Sequence, residues 1–471
     1  MKPAFTVSEI VKAVGGTVTG VTDARVLGVS TDSRSVEPGE LFVPLRGERF
    51  DGHEFIAAAL ARGVRVLLAE QGRYDLESLP TGASCITVAD TLRALGDLAA
   101  FHRTRFSLPV VAITGSNGKT TTKEMLATIL ARSGDGLKTA GNLNNLIGLP
   151  RMVFQLSEAH SWAILEMGMS EPGEIDRLAE IARPDFGVIT NVAPAHLQSM
   201  GSIAAVSSAK GELFLRLCQG STAVFNADDP FVAELPTPPG VRKISFGLGE
   251  AEVRAEKIES LGRAGQSFVL ILPSGMIAVK MKVFGRHNVQ NALAAATVAH
   301  LLGLAPDDIR KGLESFSPVE KRFSPEDING ILLIDDSYNA NPASMRAALT
   351  TVAGLKGTGR GIAVLGDMLE MGESSPAMHE EIGSLAAHCV ERLYLLGDMA
   401  EYVARGAMAG GLPAEAIILA QSHAEILDDL GRAMRPGDCV LVKGSRGMRM
   451  ETVAEGIRNE FPAGAAKGAV N

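Results

Sequence analysis

Apolar runs that break at a glycine or a polar corner recur along this chain: VVAITG, AILEMG, FGVITNV and STAVFNADD, then, further on, ILLIDDS, GIAVLGDM, RLYLLGDM and CVLVKGS. Segments of helical pattern lie between them. Strands that are apolar on both faces and alternate with helices belong in a mostly parallel sheet covered by helices, and such sheets gather ligands at the carboxyl ends of their strands. The fold class is therefore α/β, with two such blocks. A third block precedes them, carrying short strands and turns (STDSRSVEPGELFVPLRG) and one helix-strand pair (FIAAALARGVRVLLAE), which reads as a small α/β module. Three domains are expected, at 1–107, 108–318 and 319–471, in keeping with a chain of 471 residues. LGDM closes two runs, at 365–368 and 396–399, and reads either as two equivalent strand ends or as chance repetition. The tail AGAAKGAVN, of small residues, is expected to be disordered.

Composition removes several function classes. With 46% hydrophobic and 21% charged residues the chain has the balance of a globular protein. A net charge of −9 argues against a nucleic-acid surface spread over the molecule, while leaving room for a local cationic pocket. Cys85, Cys218, Cys389 and Cys439 are scattered, which fits neither a zinc site nor a disulfide framework and suits a reducing cytoplasm. The start, MKPAFTVSEI, lacks the apolar core of a signal peptide, and no apolar run is long enough for a bilayer, so a cytoplasmic location without membrane insertion is expected. No G-x-G-x-x-G occurs, so hydride chemistry on a dinucleotide has no support.

One corner carries specific chemistry. In LPVVAITGSNGKTT, residues 108–121, an apolar run ends at Gly115 and a helical pattern begins at Lys119. A glycine turn that opens a helix directs several N–H groups and the positive end of the helix dipole at one spot, which suits a phosphate. Gly115, Ser116, Asn117, Gly118, Lys119, Thr120 and Thr121 thus form a candidate ATP loop, with Lys119 for the terminal phosphates and the Thr120 hydroxyl for Mg²⁺. Ile113 stands where the full Walker pattern has its first glycine, so only the short form G-x-x-G-K-T-T is present, and an ordinary strand-turn-helix corner with an exposed lysine is the competing reading. Glu166 closes AILEMG and His196 follows the next strand, so both can reach the loop and ligate Mg²⁺; singly, each is as readily a cap or an ion-pair partner. Lys210, in AVSSAKGELFLRL, reads from pattern alone as a solvated helical lysine.

GSNGKTT, the glutamate of LEMG, NVAPAH followed by AKGELF, NADD, GRHNVQNALAA, DDSYNANPASM, LGDMLEMGE and VLVKGSRGMRME stand in the order seen in the Mur ligases, and the chain resembles that family. STDSRSVEPGELFVPLRGERFDGHEF resembles the family's UDP-binding block, so the likeness runs over nearly the whole chain. Within the family it is most similar to the branch that adds D-alanyl-D-alanine. The diaminopimelate-adding branch carries DNPR, which is absent here, and folylpolyglutamate synthases lack the N-terminal DSR block.

The resemblance implies a UDP-substrate-binding domain, a central P-loop ATPase domain and a C-terminal Rossmann-like domain. It implies an ATP-dependent ligase that joins the carboxylate of a UDP-N-acetylmuramoyl-tripeptide (UDP-MurNAc-tripeptide) to the amine of D-Ala-D-Ala through an acyl phosphate. Thr120 and Glu166 would hold one Mg²⁺, and His196 with a carbamylated Lys210 a second. Asn288 and Asn291 would contact adenine, and Arg322 and Asp336 would reach ATP from the third domain. Ser33 and Arg34 of the TDSR turn, as hydrogen-bond donors, would lie near the uridine diphosphate, and Asn339 and Asn341 of DDSYNANP would bind substrate. The partners implied are these small molecules, with no nucleic acid, and a monomer is expected. Two positions depart from the family pattern: Gln198 stands where an acidic residue is usual, and Lys321 where a glycine precedes the arginine. Two alternatives remain in view, a P-loop regulatory ATPase without ligation and a related ligase with another amino-acid acceptor.

Overall fold

A computed structural model of the chain describes residues 3–47, 49–194 and 197–460. His196 and the AGAAKGAVN tail lie outside the described residues.

The central sheet forms around Val110–Thr114, whose five residues are all buried, as expected of a strand with apolar faces on both sides. It runs parallel to Trp162–Glu166 on one side and Phe186–Ile189 on the other. Thr222–Asn226 and Arg242–Gly247 continue the parallel order outward, and Gly136–Lys138 closes the other edge. Beyond them, Val253–Ser260 joins parallel to Arg242–Gly247, and Gln266–Leu272 and Gly275–Met281 follow it as an antiparallel extension. No sequence run announced this extension: residues of Gln266–Leu272 alternate between buried and half-buried, so the segment has no unbroken apolar signature. Register matters for the site. Glu166 pairs with Ile113 and Ile189 with Thr114, so the polar ends of three neighbouring strands stand level with the glycine loop.

The C-terminal sheet has five parallel strands, with Ser324–Ile328 antiparallel at one edge. Cys439–Lys443, the last strand in sequence, is inserted between Ile331–Asp336 and Gly361–Gly366. All three run parallel, but the helices that follow Ile331–Asp336 and Cys439–Lys443, Pro342–Leu355 and Glu451–Glu460, pack on opposite faces of the sheet, and a crevice opens at the carboxyl ends, where ligands of such sheets bind. The two LGDM corners are neighbours: Gly366 pairs with Leu396, and the Asp367 carboxylate accepts the N–H groups of Asp398 (2.8 Å) and Met399 (3.1 Å).

The first block has a five-stranded sheet and a small core of its own around Phe42, Leu67 and Cys85. It is not walled off from the next block. Its last helix, Thr91–Arg103, buries Ala94, Leu95 and Leu98 in the same core as Val110, Ala112 and Leu165. Arg103, nearly buried at the end of that helix, donates to the carbonyls of Ala182 (3.0 Å) and Phe106 (2.6 Å).

The link to the C-terminal block carries a left-handed backbone at Lys321 (φ 61°) and Phe323 (φ 49°), on either side of Arg322. Lys321 is the position where the family pattern has glycine, and a side chain there costs about 1–2 kcal/mol. Its carbonyl accepts from Tyr338 N (3.0 Å), which fixes the strained residue in place. Gln198, the other departure, donates its N–H to Glu370 O (3.2 Å), joining the segment after His196 to the LGDMLEMGE loop. Among the described residues, no helix is long and apolar enough to cross a membrane.

Candidate active site

The central and C-terminal blocks enclose a cavity of about 860 Å³. Its floor is the glycine loop between Val110–Thr114 and the helix Lys119–Leu130. Glycine is required twice in this loop. At Gly115 (φ 148°) a Cβ would stand 1.9 Å from Thr190 Oγ1, and at Gly118 (φ 81°), the residue that caps the helix, 2.2 Å from Asn291 Oδ1. Asn191 shapes the rest, accepting from Ser116 N through its carbonyl and from Asn117 N through its side chain, both at 2.9 Å. The following helix opens onto the cavity, and its first-turn N–H groups have no helix carbonyl to bond.

Lys119 Nζ donates to Gly115 O (2.7 Å) and so lies folded over the loop. Burial pushes its pKa down, and Arg322 adds to this, while the Glu166 charge opposes it. Thr120 Oγ1 donates to Glu166 Oε2 at 2.8 Å, which brings the two expected ligands of one ion together. The carboxylate is pinned further by Asn144 Nδ2 on Oε1 (2.9 Å) and by the Lys123 ammonium 3.9 Å from Oε2, while the backbone N–H of Glu166 donates to Thr139 Oγ1 (2.8 Å). Hydroxyl and carboxylate oxygens suit Mg²⁺, which keeps waters and substrate phosphates in its remaining places. No group of three or more His, Cys, Asp and Glu side chains forms a closed metal cage among the described residues.

Lys210, on the helix Ile203–Leu215, also borders the cavity but is only 3% exposed. The solvated helical lysine that its pattern suggests is therefore not what the fold makes of it. Burial drives its pKa well below the usual lysine value, and repulsion from Lys119 adds to the shift.

Asn288 and Asn291 reach the cavity from beneath the loop, with much of their capacity spent on packing. Asn288 Nδ2 donates to Phe284 O (2.9 Å), Asn291 Nδ2 to Asn288 Oδ1 (3.1 Å), and Thr122 Oγ1 to Asn291 Oδ1 (3.4 Å). His287 beside them has its pKa lowered to about 4 by burial and by Lys443, so it is neutral at pH 7.

From the C-terminal block, Asp336 accepts from Phe323 N (3.0 Å) and from Lys443 Nζ (2.6 Å), and Lys443 also donates to Asn339 O (2.9 Å). Burial raises the Asp336 pKa, against the pull of Lys443. Arg322 stacks on the Tyr338 ring at 3.9 Å. Asn341 caps the helix Pro342–Leu355, and its side-chain amide exchanges two hydrogen bonds with Asn117, at 2.8 and 3.3 Å, so the glycine loop touches the third block directly. Ser33 and Arg34 stand apart from this cavity, on an exposed turn where Arg34 grips Asp32 through Nε (2.9 Å) and Nη2 (2.8 Å) and lowers its pKa to about 2.

Sequence reading missed Lys123, Asn144, Asn191, His287 and Lys443. Lys123 has a signal: it lies one turn after Lys119, a second lysine on a helix whose buried positions beyond it are apolar. The asparagine cluster of GNLNNLIG was a second signal.

Comparison with known proteins places three family descriptions along the chain: the Mur ligase family catalytic domain over residues 25–103, the Mur ligase middle domain over 113–299, and the Mur ligase glutamate ligase domain over 321–446. The UDP-N-acetylmuramoyl-tripeptide–D-alanyl-D-alanine ligase of Bacillus subtilis is 34% identical over 456 residues, 96% of this chain and 98% of that one. A crystal structure of MurF from Acinetobacter baumannii matches with a TM-score of 0.89 and 35% identity, covering 97% of this chain and 99% of that one. MurF ligase from Thermotoga maritima, solved in complex with ADP, matches with a TM-score of 0.83 and 30% identity over 92% of this chain and 97% of its own.

Proposed function

Because the chain belongs to the Mur ligase family, we infer that its interdomain cavity is the active site of an ATP-dependent ligase that joins D-Ala-D-Ala to UDP-MurNAc-tripeptide. The products are the UDP-linked pentapeptide, ADP and phosphate, and the reaction belongs to peptidoglycan precursor synthesis. The observation that carries this reading is the meeting of two half-sites: Lys119 and Glu166, the latter holding Thr120, on one wall and Arg322, Asp336 and Asn341 on the other. The matched segments fall within 1–107, 108–318 and 319–471, and we assign UDP-substrate binding, ATP binding and ligation to these units in that order.

The substrate carboxylate takes the γ-phosphoryl group, with ADP leaving, and the dipeptide amine then attacks the acyl carbon, with phosphate leaving. Both steps concentrate negative charge, so cations and N–H groups fixed beforehand around those oxygens lower the barriers. Lys119 and the helix N-terminus bind the β and γ phosphates. Thr120 and Glu166, held 2.8 Å apart by Asn144 and Lys123, present oxygens for Mg²⁺, which when bound neutralises phosphate charge. Asn288 and Asn291 border the adenine side, while Asn339 and Asn341 orient substrate. Arg322 and Asp336 border the same cavity from the C-terminal block and act on ATP only when the blocks close, and closure keeps water from the acyl phosphate. His196 and a carbamylated Lys210 would hold a second Mg²⁺. As a free amine Lys210 offers no anionic oxygen, and the carbamate supplies one.

ADP formation should require both the UDP-tripeptide and D-Ala-D-Ala. ATP turnover indifferent to the dipeptide would instead indicate a regulatory ATPase, and turnover with another amino acid a different acceptor.

Arg34→Ala should raise the KM for the UDP-tripeptide about 10-fold, the loss of a charge-assisted hydrogen bond, and leave the KM for ATP nearly unchanged. Equal effects on both would remove Ser33 and Arg34 from the UDP site.

A further inference from the structure

We propose that Arg446 reads the free carboxylate of the incoming dipeptide. The assignment rests on the ligase reading above and names the recognition element of its acceptor.

Arg446 follows the strand Cys439–Lys443, at the carboxyl edge of the parallel strands of the C-terminal sheet. Its backbone is held through its own N–H and through the preceding Ser445, by two segments of the block. Ser445 N donates to Asp367 O (3.0 Å), Leu369 N to Ser445 Oγ (2.8 Å), Ser445 Oγ to Ala340 O (3.3 Å), and Arg446 N to Asn339 Oδ1 (3.4 Å). A frame so tied presents its side chain from a fixed point. The guanidinium donates one N–H, from Nη1, to Tyr338 Oη (3.3 Å) and lies 5.4 Å from the centre of that ring, which also carries Arg322 at 3.9 Å. Tyr338, Asn339 and Arg322 all border the cavity, so Arg446 stands at its rim.

Charge decides the role. Two guanidiniums rest against one tyrosine, and among the described residues neither has a carboxylate partner. The neighbouring cation, Lys443, is already committed to Asp336 and Asn339 O. The reaction brings two kinds of anion to this crevice, phosphoryl groups and the acceptor's carboxylate. Phosphoryl groups are met at the glycine loop by Lys119, with Arg322 on the opposite wall. Arg446 has its contacts within the C-terminal block alone, to Tyr338 and Asn339. The dipeptide must put its amine at the acyl carbon inside the cavity, and two extended residues then carry its carboxylate at most about 7 Å outward. A rim guanidinium with four N–H groups left is suited to take that carboxylate in a forked pair.

The test compares D-Ala-D-Ala with D-alanyl-D-alaninamide, which keeps the amine and loses the negative charge, in the full-length enzyme and in Arg446→Gln and Arg446→Lys. In the unaltered enzyme the amide should lose about 10–100-fold in kcat/KM, the range for a hydrogen-bonded charge pair. Arg446→Gln should raise the KM for D-Ala-D-Ala by a similar factor, leave the KM values for ATP and UDP-tripeptide within about twofold, and treat acid and amide alike. Arg446→Lys should retain part of the acid preference. If Arg446→Gln is poorly folded, the acid-to-amide ratio of Arg446→Lys, expected below that of the unaltered enzyme, decides. A ratio unchanged in the variants, or an ATP KM that rises as much as the dipeptide KM, overturns the assignment. Failure of the unaltered enzyme to use D-Ala-D-Ala at all would overturn the ligase reading instead.

Discussion

Lys119→Ala is expected to lower kcat/KM for ATP on the order of 10³-fold, about 4 kcal/mol of transition-state stabilisation. The ammonium lies over the glycine loop, 2.7 Å from Gly115 O, where it can reach β and γ phosphate oxygens as charge moves between them. The loss should not come from unfolding. Burial and Arg322 lower the pKa of this group against the pull of Glu166, so the folded chain disfavours its charged form, and alanine removes a half-buried cation rather than a stabilising one. Thermal stability should therefore hold while turnover falls. Near-normal turnover would remove Lys119 from the phosphate site.

That prediction was available from the sequence because glycine, lysine and threonine stand together in GSNGKTT, on a strand-to-helix corner that pattern alone could place. Much of the fold was legible in the same way: the apolar runs VVAITG, AILEMG and CVLVKGS became parallel strands, because a strand buried on both faces leaves an unbroken apolar signature. Alternating strands at a sheet edge leave a weaker one, and the antiparallel extension after residue 253 went unseen. The site divides along a similar line. Glu166 could be put at a strand end, but only the register with Ile113 sets it 2.8 Å from Thr120. The residues that hold it there come from elsewhere in the chain, Asn144 from a loop and Lys123 from the helix, and no local pattern pairs them with a glutamate decades of residues away. Asn341 shows the limit most directly. The sequence offers it as a substrate contact but says nothing of its other partners in the fold, Asn117, 224 residues earlier, and the helix it caps. Lys321 shows the converse, a departure from the family's glycine that the backbone accommodates at φ 61°.

Lys210→Ala should lower activity at least 10²-fold, and acetate or formate should restore part of it, if the lysine acts as a carbamate. The environment favours that chemistry. Lys210 is 3% exposed, and burial with repulsion from Lys119 lowers its pKa well below the ordinary value, which enriches the neutral amine. That amine can attack CO₂: a bond forms between nitrogen and carbon, one proton leaves to solvent, and the side chain becomes a carbamate anion. The charge reverses from what an ammonium would carry. At an effective dielectric near 20, an ammonium about 4 Å from Mg²⁺ would be repelled by roughly 8 kcal/mol, whereas a carbamate would offer the hard oxygen such an ion prefers. The lysine stem accounts for the use of this residue, since it lets a carboxylate extend from the helix Ile203–Leu215 into the cavity where aspartate would be too short. Isotope-labelled bicarbonate should give a carbamate carbon signal in the unaltered enzyme that is absent from the alanine variant, a readout independent of turnover. Full activity of Lys210→Ala without any added acid would defeat the assignment, as would the absence of that signal. A short carboxylic acid works in this test because it returns the one feature the variant lacks, an anionic oxygen in a buried space the size of the missing side chain.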